Sequence, residues 1–208
     1  MSISIEATDV TVRYGKDTVL DIPRLQLKGP SLVVVTGPNG AGKSTFLRLC
    51  AGLQRPKDGT VEVNGVKAHR RRARLNSVYS PDHPVLFDDL HIGDNISYAH
   101  ESSGADEPTE IARDLLEAFG LERLLKRYPA QLSRGQRQAA SLVVAAARPV
   151  EMMLFDEPTL SLDQENRSRL SEVLASHTRD QLLVVASHDE TLTSAAKRRI
   201  RLEDGHVA

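Results

Sequence analysis

Two short stretches carry residue types that could do phosphate chemistry. Gly37-Pro38-Asn39-Gly40-Ala41-Gly42-Lys43-Ser44 fits the pattern G-x-x-x-x-G-K-[ST]. Its glycines let backbone N–H groups converge on phosphate oxygens, and a helix N-terminus directly behind favours their negative charge. Lys43 can reach the β- and γ-phosphates, Ser44 can place its hydroxyl on Mg²⁺, and Thr45 is close enough to touch the α-phosphate. The pattern implies a nucleoside triphosphate, but not what is done with it. Asp156 and Glu157 end an apolar run, Met152-Met153-Leu154-Phe155. Loops at the carboxyl ends of parallel strands form the ligand crevice of α/β folds. There Asp156 would hold the Mg²⁺ shell and Glu157 would face the water attacking the γ-phosphate. A general base so placed is worth about 10²–10⁴ in rate. Alone, the two acids would suit a solvated cap equally well; beside a phosphate loop they read as chemistry. A second acid directly after the first suits hydrolysis better than transfer to an acceptor.

These residues need a strand-and-helix frame. Leu32 to Val35 is a short apolar run, as expected of a buried parallel strand, and a helix-like run, Lys43 to Ala51, follows the loop. Ile3 to Arg13, Thr18 to Leu27, Thr60 to Val63 and Val78-Tyr79 read as further strands. From about Ile92 to Ala147 the pattern turns helical: Ile111, Leu115, Leu116, Ala118 and Phe119 recur at helical spacing, and Gln136 to Ala147 is a second strong helix. Asp88 to Ala99 has no signal of its own. Strand–helix alternation then resumes, with strands at Met152–Phe155, Leu182–Ala186 and Arg199–Leu202 and helices at Gln164–His177 and Asp189–Lys197. This predicts one α/β domain with a largely parallel sheet: a core of about 1–90 and 148–208, interrupted by a helical subdomain of about 91–147.

Composition narrows the classes. The chain has 208 residues, 40% hydrophobic and 26% charged, which is ordinary globular usage. Its 27 Lys and Arg against 28 Asp and Glu leave a net charge of −1, without the footprint of a dedicated nucleic-acid binder. Aromatics are 4% with no Trp, which argues against a stacking surface for single strands. The single cysteine, Cys50, excludes an internal disulfide and fits a reducing compartment as a packing residue. No run approaches the ~18 apolar residues of a membrane span, and the N-terminus lacks a secretory pattern.

Leu132-Ser133-Arg134-Gly135-Gln136 opens a helix about twenty residues before Asp156, with Ser133 as a capping residue. Together with GPNGAGKST and LFDEPT, this segment resembles the signature loop of ATP-binding-cassette (ABC) ATPases. The resemblance covers nearly the whole chain, from Ile3 to Val207. It implies a P-loop α/β fold of the ABC-ATPase type: a mainly parallel core sheet, an antiparallel N-terminal β-subdomain and a helical insertion. It implies ATP and Mg²⁺ as ligands. Tyr14 resembles the aromatic that stacks on adenine, the alternative being a half-buried Tyr at a strand end. Residues 37–45 match the phosphate loop. Ser133, Gly135 and Gln136 match signature positions facing the γ-phosphate held by an opposite subunit. Asp156 and Glu157 match the Mg²⁺ acid and the catalytic base. Ser161-Leu162-Asp163 resembles the loop between the two sites, and His188 the switch histidine on the γ-phosphate. The other six His show no ligand spacing and read as surface or packing residues.

The resemblance further implies a head-to-tail pair of ATPase subunits, identical or paralogous, sandwiching two ATP molecules. It implies a separate integral membrane subunit, and a place on the cytoplasmic face reached through it. Val85, Leu86 and Phe87 are expected to line the groove receiving that subunit. The chain ends soon after Gly205, so it looks like the compact ATPases paired with export-type partners. Two positions depart from the family. The Gln that senses the γ-phosphate Mg²⁺ falls on Asp82, with His83 as neighbour. Asp is an oxygen ligand but cannot donate a hydrogen bond while ionised, so metal sensing is expected to survive with slower hydrolysis. Arg134 replaces the usual Gly, at a site expected to tolerate it. The basic run Lys67–Arg74 reads as a solvated loop or short helix. A non-transport ABC ATPase acting on a soluble assembly is the second reading. A P-loop kinase would not explain LSRGQ with His188, and no N-K-x-D segment supports a GTPase.

Overall fold

The computed structural model describes residues 3–178 and 181–208. Met1 and Ser2, part of the N-terminal reading, lie outside them. Strands β1 (Ser4–Tyr14) and β2 (Asp17–Lys28) form a long antiparallel pair. With β4 (Asp58–Val63) and β5 (Val66–Lys67) they make a four-stranded sheet, order β2-β1-β4-β5. The second sheet has six strands. Its parallel core, in spatial order, is β9 (Arg198–Glu203), β3 (Ser31–Thr36), β8 (Leu182–Ala186), β7 (Met152–Asp156) and β6 (Ser77–Ser80). The short β10 (His206–Val207) pairs antiparallel with β9 at one edge, leaving β6 at the other.

Burial explains the apolar runs. All five residues of both β7 and β8 are buried, as strands covered on both faces must be. Alternate residues then serve two cores. Val33, Val35, Leu154 and Val184 face the antiparallel sheet and α1 (Lys43–Cys50). Val34, Phe155 and Val185 face the helices α3 (Ile92–Glu101), α4 (Glu110–Ala118), α5 (Arg134–Ala146) and α6 (Gln164–Ser176). Cys50 is buried in the first core, with a thiol pushed far up by desolvation. Capping chemistry sets the helix starts. Thr109 caps α4 by accepting from Ala112 N, Asp163 caps α6 by accepting from Asn166 N, and Asp189 caps α7 (Glu190–Ala195). The basic run folds partly into the one-turn helix α2 (Arg71–Leu75), with only Ala73 buried.

The structure adds one helix to the expected pattern. Residues expected to carry no signal form α3, held by Asn95 rather than by a capping side chain. Asn95 is buried; its amide donates to Phe87 O, Leu90 O and His91 O, and its Oδ1 accepts from Phe87 N.

Candidate active site

β3 runs out at Thr36, and the phosphate loop turns over the carboxyl end of the parallel sheet. Gly37 holds φ +145, and a Cβ there would lie 2.2 Å from the Leu202 carbonyl oxygen, so only glycine fits. Gly42 stands at the N-cap of α1 in a left-handed conformation (φ 95) that brings the N-terminus of α1 onto the loop. Lys43 is buried and folds back over the loop, donating to Gly37 O at 2.8 Å and Pro38 O at 3.3 Å. Its ammonium also lies 3.6 Å from Glu157 Oε1.

The two acids sit together at the end of β7. Asp156 is the last residue of β7 and is 2% exposed. Ser44 Oγ donates to its Oδ1 at 3.0 Å, and the Tyr79 hydroxyl donates to its Oδ2 at 2.9 Å. Burial and the Asp156 carboxylate push the Tyr79 phenol well above the ordinary range, so it stays a proton donor. Glu157 lies beyond the strand at φ 47, with its N–H anchored on Ala186 O of β8 at 2.8 Å. That left-handed backbone, uncommon outside glycine, turns its side chain toward Lys43. His188 Nδ1 approaches the same Oε1 at 3.1 Å, while Glu157 Oε2 is buried without a hydrogen-bond partner. Burial raises the Glu157 carboxyl above its ordinary value; His188 and Lys43 pull it back, and Asp156 pushes it up further. A carboxylate on the cleft wall with a raised pKa is suited to accept a proton from water.

A cleft of about 500 Å³ gathers these groups. Asn39, Gly40, Gly42, Lys43, Ser44 and Thr45 line it with Asp82, Glu157 and His188. Gly37 and Pro38 face an adjoining cleft, which also includes His188. Ala41 is buried beneath the loop. Asp82 lines this cleft, with its Oδ1 3.0 Å from His83 Nδ1. Val19, Arg48 and Leu160 also line the cleft and were not anticipated. Tyr79 was likewise read only as a strand residue; its alternation with Val78 was the available clue to which face it presents.

Other expected residues lie outside this cleft. Ser133, Gly135 and Gln136 begin α5, where Ser133 and Gln136 form a reciprocal cap. Ser133 Oγ accepts from Gln136 N at 3.2 Å, and Gln136 Oε1 accepts from Ser133 N at 3.0 Å. Gly135 packs against the loop after Glu157, since a Cβ on it would lie 2.9 Å from Ser161 O. Tyr14 is 52% exposed, its hydroxyl donating to Gln54 Oε1 at 3.1 Å. It is available for stacking but is not part of the cleft. Val85, Leu86 and Phe87 do line a groove, of about 330 Å³, with Val78, Tyr98 and Val144. Its rim leaves Val85, Phe87 and Tyr98 about half exposed, Phe87 and Tyr98 meeting edge-to-face at 5.1 Å.

Comparison with known proteins settles the family. The family profile described as ABC transporter matches residues 20–160. This chain belongs to the ABC transporter family, as an ATP-binding protein. It is 33% identical over its whole length to a probable sulfate/thiosulfate import ATP-binding protein of Chlorella vulgaris, covering 89% of that protein. Against the corresponding protein of Nephroselmis olivacea it is 39% identical over 82% of the chain, but spans only 50% of that relative. It spans 37% of a mycobactin import ATP-binding/permease protein of Mycolicibacterium thermoresistibile, at 32% identity over 98% of the chain. Among solved structures, the ATP-binding subunit of an ABC transporter superposes with TM-score 0.83 at 27% identity, covering 98% of this chain and 87% of that one. A dimeric bacterial ABC transporter cassette gives TM-score 0.87 at 26% identity, with 98% and 96% covered. The ABC-type P-loop fold is thereby shown, with its parallel core and antiparallel β-subdomain, and with it an ATP-binding and ATP-hydrolysing activity. The expected export-type partner finds no support in these relatives, whose names are those of import ATP-binding proteins.

Proposed function

We propose that this ATPase powers a transporter through a separate membrane subunit, working as a head-to-tail pair with two ATP molecules between the subunits. Among the described residues no helix is long and apolar enough to cross a membrane, so passage of cargo falls to a membrane-spanning part outside them. The carrying observation is the convergence of Lys43, Ser44, Asp156, Glu157 and His188 at one end of the parallel sheet. Lys43 neutralises phosphate charge, the loop amides orient it, and Glu157 takes the proton from water while His188 keeps that carboxylate in place. Ser44 and Asp156 offer two oxygens 3.0 Å apart beside the loop, the hard donor set that suits Mg²⁺. When bound there, Mg²⁺ neutralises charge on the β- and γ-phosphate oxygens. Asp82, on the same cleft, would offer a further oxygen to that ion.

Ser133, Gly135 and Gln136 do not line the cleft of their own chain, which supports their acting on the nucleotide of a second subunit. Tyr14 supplies the adenine stack. The apolar groove at Val85 to Phe87 is where the membrane subunit docks, which places the chain peripherally at the membrane. The import-named relatives weigh against an export direction. The test is a pull-down from native membranes in mild detergent with Glu157→Gln as bait. A stoichiometric multi-spanning partner is the expected result. Recovery of soluble partners alone would overturn the transport reading in favour of an ATPase acting on a soluble assembly.

A further inference from the structure

Asp156 is held from two sides. Ser44 donates to Oδ1 at 3.0 Å, and Tyr79, from β6, donates to Oδ2 at 2.9 Å. The strand register explains the reach: Tyr79 lies opposite Leu154, which points to the same face of the sheet as Asp156 two residues on. The Tyr79 ring packs against the core between the sheets, so its hydroxyl is delivered by a half-buried, rigid arm. β6 is paired on one side only, and its neighbour Val78 packs into the other core and lines the apolar groove. One short edge strand thus carries both a wall of the groove and the partner of the metal-side carboxylate.

We propose that Tyr79 is a positioning residue for Asp156: it fixes Oδ2 so that Oδ1 is presented, with Ser44 Oγ, to the nucleotide-bound Mg²⁺. This rests on the function proposed above. A carboxylate at a strand end can rotate about its side-chain torsions, and a bond to one oxygen aims the other. Binding a cation through Ser44 Oγ and Asp156 Oδ1 breaks the hydrogen bond between them but leaves the Tyr79 bond in place. Partners that orient a metal ligand this way typically account for about 10–100-fold in metal affinity.

The test is Tyr79→Phe, which keeps the ring and removes only the hydroxyl. Mn²⁺ affinity is measured by electron paramagnetic resonance in the presence of a non-hydrolysable ATP analogue. Affinity for the same analogue in EDTA is measured separately. The expected result is Mn²⁺ binding weakened about tenfold, with metal-free nucleotide affinity unchanged. Added to Asp156→Asn, the substitution should have no further effect on the metal, since Tyr79 acts through that carboxylate. Mn²⁺ affinity within twofold of the parent, or full additivity with Asp156→Asn, overturns the proposal. Should the parent itself show no nucleotide-linked Mn²⁺ binding, the proposed function fails instead, which keeps the two failures apart. If Tyr79→Phe does not fold, 3-fluorotyrosine in the parent chain replaces it. The Tyr79 resonance, assigned by substituting the exposed Tyr14, Tyr98 and Tyr128, should shift when Mg²⁺ is added to the analogue complex. A resonance that stays put overturns the proposal.

Discussion

Glu157→Gln isolates one charge with little change of shape. Glu157 Oε1 meets His188 at 3.1 Å and Lys43 at 3.6 Å, and Oε2 is buried without a partner. The Gln carbonyl can take over the first role, so nucleotide binding should persist. What is lost is the proton acceptor, and a general base is worth about 10²–10⁴ in rate, or about 2.7–5.4 kcal/mol of barrier. Single-turnover hydrolysis of ATP should fall by that factor while ATP affinity changes little. A second consequence follows from the carboxyl's raised pKa. Its largest cause is burial, opposed by His188 and Lys43 and reinforced by Asp156. A group whose folded value is raised contributes stability below its unfolded pKa and loses it as pH rises through the folded one. At pH 8 the ionised Glu157 therefore costs stability, and nucleotide-free Glu157→Gln should melt above the parent. The gap should close toward pH 4, where both side chains are neutral. Hydrolysis within tenfold of the parent would refute the base assignment, and a lower melting temperature at pH 8 would refute the electrostatic reasoning.

His188→Ala should slow hydrolysis by about 10–100-fold, the worth of a hydrogen bond to a charged group, with ATP binding retained; filter binding against steady-state phosphate release separates the two. Asp82→Gln should raise basal hydrolysis and change its Mg²⁺ dependence, and no change in either would show that Asp82 does not act on the metal. Phe155→Ala should cost about 3–5 kcal/mol in urea unfolding, because the ring is fully buried behind the two acids.

How far the sequence revealed this architecture depended on where each signal resides. The phosphate loop was legible because its glycines have backbone reasons to be there, seen in Gly37 against Leu202 O and Gly42 at the start of α1. β7 and β8 were legible as unbroken apolar runs, since both faces are covered. α3 was not legible. What stabilises it is Asn95 bonding the 87–91 loop, a tertiary arrangement with no local pattern, and its N-cap His91 offers no side-chain bond. Tyr79 was missed for a similar reason: nothing local distinguishes a tyrosine filling a core from one whose hydroxyl reaches a carboxylate on the next strand. Asp82 was placed only through resemblance, and the structure puts it on the cleft.

The proposed division of the site between two subunits predicts that a single subunit would be a poor enzyme. Lys43 donates to two loop carbonyls and forms an ion pair with Glu157, a closed set that holds its shape without ligand. The Ser133 hydroxyl and Gln136 amide are satisfied within their own helix cap, and Gly135 has its back against Ser161 of the loop that follows Glu157. A helix N-terminus thus pre-formed outside the chain's own cleft suits an anion brought by another molecule. Because Gly135 packs against Ser161, four residues from Glu157, an anion arriving at the start of α5 and a proton taken up by Glu157 would share one short stretch of backbone. Ser161 itself sits at φ 68, a conformation that leaves little slack in that stretch. Glycine at 135 is then required twice, once for the approach of phosphate and once for the contact with Ser161. Gly135→Ala should depress hydrolysis more than it depresses ATP binding to the subunit's own loop.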